Sequence, residues 1–291
     1  MRALHSLWII LLLAGCSLST DVDGYTFVDS PCPRPARRCE GGDTYWFVTS
    51  KGDIARHVDE LIDGFDVDGT SEPVCGHPDS VSPDGGVGID NALSSLLETV
   101  EPTLPTPLDE NTLNSILSGE SLVVLRLENV DDFVNDDCID FSILRGQVPL
   151  GEDPMSYLDA NGDRVLDADL TLDYGTVTAN DDRACIVDGT LHATQGDTRS
   201  IFNSGAAVAE LATVAGRART RITRDKMVDG IQGGGLSVTD IVELLNIQDQ
   251  PGLVNVLEGA ADLYPDSRGD CTHLSYALTF EAIPFTPGSF R

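Results

Sequence analysis

The chain has 291 residues, and its 48 acidic against 18 basic side chains give a formal net charge of −30 at pH 7. A field of this sign repels polyanions, so nucleic acid is excluded as a partner. Because 41% of the residues are hydrophobic, the chain is not predicted to be disordered, and its length suits one large domain or two smaller ones.

The first residues predict export. A basic start, a short apolar run and small residues before Cys16 form the layout of a secretory signal, and the run is too short for a spanning helix. The segment Leu13-Ala14-Gly15-Cys16 resembles the lipobox of bacterial lipoproteins, whose cysteine thiol receives diacylglycerol before cleavage. The resemblance implies that residues 1–15 are removed and that Cys16 carries a lipid with acyl chains such as palmitate. Ser17 after the cysteine resembles the sorting signal for the outer membrane of Gram-negative bacteria, so that location is expected. Ordinary cleavage beside an unmodified Cys16 is the alternative.

The next segments lack the pattern of a sheet. Residues 16–44 are polar and rich in Pro and Gly, which predicts a lipidated tether. A helix is predicted from Ser50 to Gly64, then an acidic Asp/Gly/Pro loop, then two short helices. Asp90 is predicted to cap the first of these, and Asp109 or Asn111 the second. Residues 45–120 are therefore expected to form a helical, Asp/Gly-rich region packed on the main domain.

After residue 120 the pattern changes to alternation, which is typical of strands. The clearest strand places Leu274, Tyr276 and Leu278 on one face and polar residues on the other. Two further helices are predicted from Ser237 and from Pro251. The other predicted strands lie at 122–127, 139–143, 170–178, 184–194 and 215–223, with a turn at 233–235.

Because strands dominate residues 121–291, this segment is predicted to be the main domain, and the fold class is predicted to be mainly β. The expected architecture is an antiparallel, jelly-roll-like β-sandwich decorated with short helices. An α+β fold is the alternative.

Cysteine usage predicts disulfide bonds. Six cysteines remain beside Cys16, an even number in an exported chain, so three disulfides are expected. Cys32 and Cys39 enclose a tight loop and are the favoured pair. The six residues are Cys32, Cys39, Cys75, Cys138, Cys185 and Cys271.

Residues 159–169 predict a calcium site, because oxygen-bearing side chains recur at alternate positions and can converge on one hard cation. The segment resembles the start of an EF-hand loop, although Arg164 stands where the loop has its Gly and Leu170 where it has its bidentate Glu. The resemblance implies a partial calcium site that needs further ligands, and a plain hairpin turn at Asn161-Gly162 is the alternative. The candidate ligands are Asp159, Asn161, Asp163, Asp167, Asp169 and the carbonyl of Val165.

A second acidic loop begins at residue 63 and contains an Asp-x-Asp-Gly element and one cysteine, Cys75. It resembles a fragment of the calcium-wrapped repeats of thrombospondin type 3. The resemblance implies that ions and a disulfide replace a hydrophobic core here. A flexible acidic loop pinned by one disulfide is the alternative. The candidate ligands are Asp66, Asp68, Asp84 and Asp90.

Three alternating arginines, Arg217, Arg219 and Arg221, share one face of a predicted strand. They could bind a carboxylated or phosphorylated ligand, or they could pair with an acidic neighbouring strand. The histidines have no HExxH-type spacing, and the sequence contains no Gly-x-Ser-x-Gly motif and no phosphate-binding loop.

The arrangement of lipobox, acidic cysteine-bearing loop and β-rich body resembles lipoproteins of Gram-negative bacteria with no assigned activity. The leading hypothesis is a lipid-anchored, calcium-stabilised surface or periplasmic module that binds a glycan or protein partner without catalysis. A polysaccharide hydrolase with a carboxylate pair is the first alternative, and a structural envelope lipoprotein is the second.

Overall fold

The computed structural model describes residues 31–32, 39–100, 122–147, 171–203, 208–245 and 247–290, and most of them lie in strands. The described strands are β1 (Asp43–Ile54), β2 (Ser80–Val81), β3 (Val87–Ile89), β4 (Leu122–Val130), β5 (Asp136–Gln147), β6 (Thr171–Val187), β7 (Thr190–Asn203), β8 (Val208–Thr223), β9 (Lys226–Ser237), β10 (Leu263–Pro265), β11 (Cys271–Pro284) and β12 (Thr286–Phe290). The described helices are α1 (Ala92–Val100), α2 (Val238–Leu245) and α3 (Pro251–Ala260).

The main sheet closes into an eight-stranded antiparallel barrel. Its strands follow the order β1-β4-β5-β6-β7-β8-β9-β11, and β1 also pairs with β11. Phe47 of β1 lies opposite Leu125 on one side and Pro284 on the other. The mainly β prediction is therefore right, but the predicted sandwich is wrong. Alternation shows which side chains are buried and is the same in a sandwich and in a barrel, whereas closure depends on the two partners of β1.

The strand that closes the barrel occupies sequence for which a helix was predicted. β1 ends at Ile54, so the helix expected from Ser50 is wrong. The apolar spacing after Ser50 favoured a helix. The strand that begins in the preceding aromatic and β-branched residues continues past Ser50 instead. β1 thus brings part of the 45–120 region into the barrel wall.

The core fills the barrel and continues under the helices. Phe47, Phe141, Leu191 and Met227 are essentially inaccessible to solvent and pack in the largest apolar cluster. The helices form a second cluster with Leu274 and other residues of β11. The strand expected at the end of the chain is confirmed as β11, and the predicted helices after Ser237 and from Pro251 are confirmed as α2 and α3. The helix predicted to be capped by Asp109 or Asn111 lies outside the residues that the structure describes. No helix in the described part of the chain is long and apolar enough to cross a membrane.

The acidic loop packs against the outer face of β8, β9 and β11. Phe65 contacts Ile231 and Ala277, and Val67 packs with Leu263. A Cβ atom on Gly233 would lie 3.2 Å from Cδ2 of Phe65 and 2.5 Å from a backbone oxygen. The turn predicted at 233–235 is wrong, because these glycines lie inside β9. The missing side chain at Gly233 allows the loop to approach the sheet closely.

Three disulfides join the described cysteines, as the sequence predicted, but the favoured pairing of Cys32 with Cys39 is wrong. Each of these two cysteines instead forms a disulfide with a cysteine of a barrel strand, which lies far away in the sequence. The third disulfide fixes the acidic loop to the first residue of β11. The pairs are Cys32–Cys185, Cys39–Cys138 and Cys75–Cys271, with Cα–Cα distances of 5.4, 5.2 and 6.0 Å.

Candidate metal centre

Three carboxylates of the acidic loop converge on one point. Asp66, Asp68 and Asp90 each place an oxygen within 4.8 Å of the others, and this group could hold a metal ion. Asp68 and Asp90 are buried, and Asp66 is half-buried. The sequence predicted all three residues as ligands without predicting which of the acidic residues would meet.

Backbone pairing brings Asp90 to the other two carboxylates. The amide of Asp90 donates to the carbonyl of Phe65 at 2.9 Å, which forms a short antiparallel bridge. One oxygen of Asp90, Oδ2, then accepts hydrogen bonds from the amides of Val67 at 2.6 Å and Asp68 at 3.1 Å. Asp90 was predicted to cap α1, but the neighbouring Asn91 accepts the capping hydrogen bond, which leaves Asp90 free to organise the loop.

Local turns fix the remaining two carboxylates. Oδ1 of Asp66 accepts a hydrogen bond from the amide of Gly69 at 2.6 Å, and Oδ1 of Asp68 accepts one from the amide of Thr70 at 2.9 Å. These are side-chain-to-backbone turns that Asp favours. Gly88 has a φ of +77°, and a Cβ there would approach Oδ2 of Asp66 at 3.4 Å. The loop is therefore preorganised around the oxygens.

One oxygen of this centre is buried without a partner. Asp68 is 6% exposed, and its Oδ2 has no hydrogen-bond partner. Oδ2 of the nearby Asp79 is also buried and has no hydrogen-bond partner. Because a buried carboxylate oxygen is costly unless it is hydrogen-bonded, paired or bound to a metal, these two atoms point to a cation.

The electrostatics of the centre agree with this interpretation. Burial, and next the charge of Asp68, raise the pKa of Asp90 to about 8. Burial, and next Asp68 and Asp66, raise the pKa of Asp79 to about 6. Burial also raises the pKa of Asp66 and that of Asp68. A divalent cation would supply the positive charge that keeps these carboxylates ionised at neutral pH.

The alternating arginines of β8 lie beside acidic residues. Arg219 donates to Asp84 at 2.9 Å, and Arg221 forms an ion pair with Asp229. Burial lowers the pKa of Arg217, and the charges of Asp66 and Asp90 oppose this shift only in part.

Asp84 does not belong to the three-carboxylate group. It accepts hydrogen bonds from the hydroxyl of Ser82 and from the guanidinium of Arg219. Arg217 alone supplies the cluster with a cation from β8 in the described part of the chain, and one guanidinium does not balance three carboxylates.

A cleft of about 510 Å³ borders the three-carboxylate group and lies between the acidic loop, α1 and α3. Asp90 belongs both to the three-carboxylate group and to the wall of this cleft, which Asp79, His77 and Asp262 also line. Asp262 accepts hydrogen bonds from the amide and hydroxyl of Ser275, and burial raises its pKa. Sequence reasoning placed Asp79 in the acidic loop but did not name Asp79, His77 or Asp262 as site residues. Asp262 lies far away in the chain, so no spacing signal connects it to the loop.

Another histidine in this cleft does not form a catalytic relay. Nδ1 of His57 lies 3.2 Å from Oγ of Ser94 and 3.7 Å from Oε1 of Glu98. A nucleophile–base–acid relay requires the two partners to contact different ring nitrogens, whereas both contact Nδ1 here. Ser94 is also only 1% exposed.

A larger cleft of about 960 Å³ lies on the outer face of the barrel, where β1, β7, β8, β9 and β11 meet the acidic loop. Its cations already lie in ion pairs, such as Lys51 with Glu281 at 3.2 Å and Arg219 with Asp84 at 2.9 Å. Phe280 is the one aromatic residue among its described lining residues, so the wall offers little surface for stacking against a sugar ring.

The remaining predicted site residues lie outside the described part of the chain. They are the lipidation residue Cys16 and the EF-hand-like set Asp159, Asn161, Asp163, Val165, Asp167 and Asp169. Comparison of the chain with protein-family models, with curated proteins and with solved structures finds no match.

Proposed function

We propose that the protein is a lipid-anchored, non-enzymatic binding module of the cell envelope. In this proposal Asp66, Asp68 and Asp90 hold a calcium ion that fixes the acidic loop to the barrel, and the ordered loop presents a surface to a glycan or protein partner. The observation that carries the proposal is the convergence of three carboxylates within 4.8 Å of one another, one of which, Asp68, has a buried oxygen with no hydrogen-bond partner.

The donor set favours calcium among common cations. All of the converging side-chain atoms are carboxylate oxygens, which suit hard cations such as Ca²⁺ and Mg²⁺. Mg²⁺ demands near-ideal octahedral geometry and releases its water reluctantly, whereas Ca²⁺ accepts irregular oxygen shells of about 6–8 ligands. Asp66 and Asp68 lie in adjacent turns and Asp90 lies 22 residues beyond Asp68, so their oxygens suit the irregular shell of Ca²⁺ better than an octahedron.

A structural role for the ion follows from how the loop is held. Its apolar anchors on the outer face of the barrel are few, chiefly Phe65 and Val67, and its tip is tied by the Cys75–Cys271 disulfide. An ion that joins Asp66 and Asp68 to Asp90 would close the loop on itself at the point where these anchors meet the sheet.

The exported, lipid-anchored location rests on the lipobox ending at Cys16. The three disulfides support it, because disulfides persist in oxidising compartments and are rare in the cytosol. The charge of −30 supports it further, since an anionic body is repelled by the anionic headgroups of its own membrane and would extend away from the anchor.

The test is thermal unfolding of the chain from residue 17 onward in chelator, in millimolar Ca²⁺ and in millimolar Mg²⁺ at matched ionic strength. A ligand that binds only the folded state at a hundredfold excess over its Kd stabilises it by about 2.7 kcal/mol. We therefore expect Ca²⁺ to raise the Tm by about 5–10 °C, and Mg²⁺ to raise it less. Superimposable melting curves in chelator and in Ca²⁺ would refute the metal centre.

A further inference from the structure

The three-carboxylate group borders the cleft of about 510 Å³ on one side. Asp90 provides the connection, because it is both a member of the three-carboxylate group and part of the cleft wall. Asp79, whose electrostatic neighbours include Asp66 and Asp68, lines the same wall. On another side, Phe65 and Val67 pack the loop against the barrel. Asp66 and Asp68 are not among the described residues that line the cleft, so a ligand bound in it would reach the ion past Asp90 and Asp79.

Three carboxylates do not complete the shell of a calcium ion. If each binds through one oxygen, and Asp79 adds a fourth ligand, about two or more positions remain, because Ca²⁺ takes about 6–8 oxygens. Positions that the protein leaves open are filled by water or by the oxygens of a ligand. The cleft is where such a ligand would find room.

The wall of the cleft restricts the chemistry of that ligand. Three carboxylates, Asp79, Asp90 and Asp262, line the wall beside His57 and His77, and the wall offers no lysine or arginine to a carboxylated or phosphorylated ligand among its described residues. Ser80, Ser95 and Asn255 offer hydrogen bonds to hydroxyl groups, and Val256 offers an apolar contact. A neutral molecule with adjacent hydroxyls matches this wall, because its oxygens can replace two waters on the ion without adding charge.

We infer that the cleft between the acidic loop, α1 and α3 binds a neutral, hydroxyl-rich saccharide, two of whose hydroxyl oxygens complete the coordination of the calcium ion held by Asp66, Asp68 and Asp90. This inference rests on the proposed function and names the partner class for its binding site. A sugar held by metal coordination does not require ring stacking, and no Phe, Tyr or Trp is among the described residues that line this cleft.

The first experiment counts the waters on the ion. Tb³⁺ is bound in place of Ca²⁺, and its luminescence lifetime is compared in H₂O and D₂O. We expect about two or more bound waters, the number that an open calcium-type shell leaves. A fully dehydrated ion would overturn the inference, although the metal centre itself would stand.

The second experiment measures binding to an immobilised array of neutral and uronic-acid oligosaccharides, in Ca²⁺ and in chelator. We expect binding that requires Ca²⁺ and is confined to neutral members of the array. Binding to none of them, or equal binding in chelator, would overturn the saccharide inference. If the protein binds neither Tb³⁺ nor Ca²⁺, the proposed function itself fails, so the two failures are distinguishable.

Helix α3 provides a matched pair of variants. Gly259 lines the cleft and Gly252 does not, and a Cβ added at either position meets no atom within 4 Å. Gly259→Phe should fill the cleft and reduce array binding at least tenfold while Tb³⁺ binding and the Tm shift persist. Gly252→Phe should leave all three unchanged. Equal array binding by both variants would place the saccharide elsewhere and overturn the inference.

Discussion

The substitution Asp68→Asn separates a metal ligand from an ordinary buried carboxylate. Asparagine retains an Oδ1 that can accept the hydrogen bond from the amide of Thr70, which is 2.9 Å from Oδ1 of Asp68. It replaces the unpartnered Oδ2 by an NH₂ group. That group can donate to Asp66 or Asp90 in the absence of metal, but it cannot bind a cation. The variant therefore removes one charge and one ligand at nearly constant shape.

The expected effect changes sign with calcium. Two carboxylates within 4.8 Å repel each other by about 3–4 kcal/mol at an effective dielectric constant of about 20, and partial protonation reduces this repulsion. In chelator, Asp68→Asn should therefore be as stable as the wild type or about 1 kcal/mol more stable. In Ca²⁺ it should lose most of the roughly 2.7 kcal/mol that a saturating ion contributes, or about 5–10 °C in Tm.

Thermal unfolding followed by circular dichroism, in chelator and in millimolar Ca²⁺, measures both differences. Asp84→Asn is the matched control, because Asp84 lies in the same loop but binds Arg219 and Ser82 outside the three-carboxylate group. It should lose the same amount of stability in both buffers. If Asp68→Asn also lost equal stability in chelator and in Ca²⁺, Asp68 would be a structural residue and not a metal ligand.

Three other predictions concern the anchor, the loop disulfide and the barrel wall. Cys16→Ser should move the protein from the membrane fraction to the soluble fraction, and its retention in membranes would contradict lipidation. The double variant Cys75→Ser/Cys271→Ser should weaken Ca²⁺ binding measured by calorimetry at least several-fold, because the loop then loses its link to β11; an unchanged Kd would show that the disulfide and the ion act independently. Burial, and next Arg219, lower the pKa of His192 below 6.5, so the unfolded chain takes up a proton first and stability should fall as the pH drops below 6.5. His192→Asn should remove that part of the fall, and an identical pH profile for both proteins would refute the assignment.

The sequence predicted the parts of the fold that local patterns determine. β11 alternates clearly, and α3 begins at Pro251, whose fixed φ suits the first helical turn. Barrel closure depends on one strand, β1, that pairs with two strands far away in sequence. No local pattern records such a pairing, and the apolar spacing after Ser50 favoured a helix instead.

The candidate site was predictable to a similar extent. The Asp-x-Asp-Gly element identified Asp66 and Asp68 through turn chemistry that depends only on neighbours in sequence. Asp90 is a different case, since it was predicted as a ligand and as a helix cap, and only the bridge between Phe65 and Asp90 determines its actual partners. Asp79 and Asp262 join the same electrostatic group through tertiary packing, which abundant carboxylates in a sequence cannot specify.

In the proposed arrangement the ion and the disulfide would act on the same segment, so we expect their effects to be interdependent. Asp68 and Asp90 are 22 residues apart, and closing a loop of this size restricts the unfolded chain by an amount comparable to a disulfide, about 3 kcal/mol in the entropic model. Cys75 lies inside that loop and connects it to Cys271, 196 residues further along the chain. If the ion is absent, the disulfide holds the tip of a loop whose base repels itself; if the disulfide is absent, the ion must order the whole loop before it can bind. Each crosslink would therefore lower the entropic cost of the other, and we expect the two together to keep a segment with few apolar anchors ordered on the barrel.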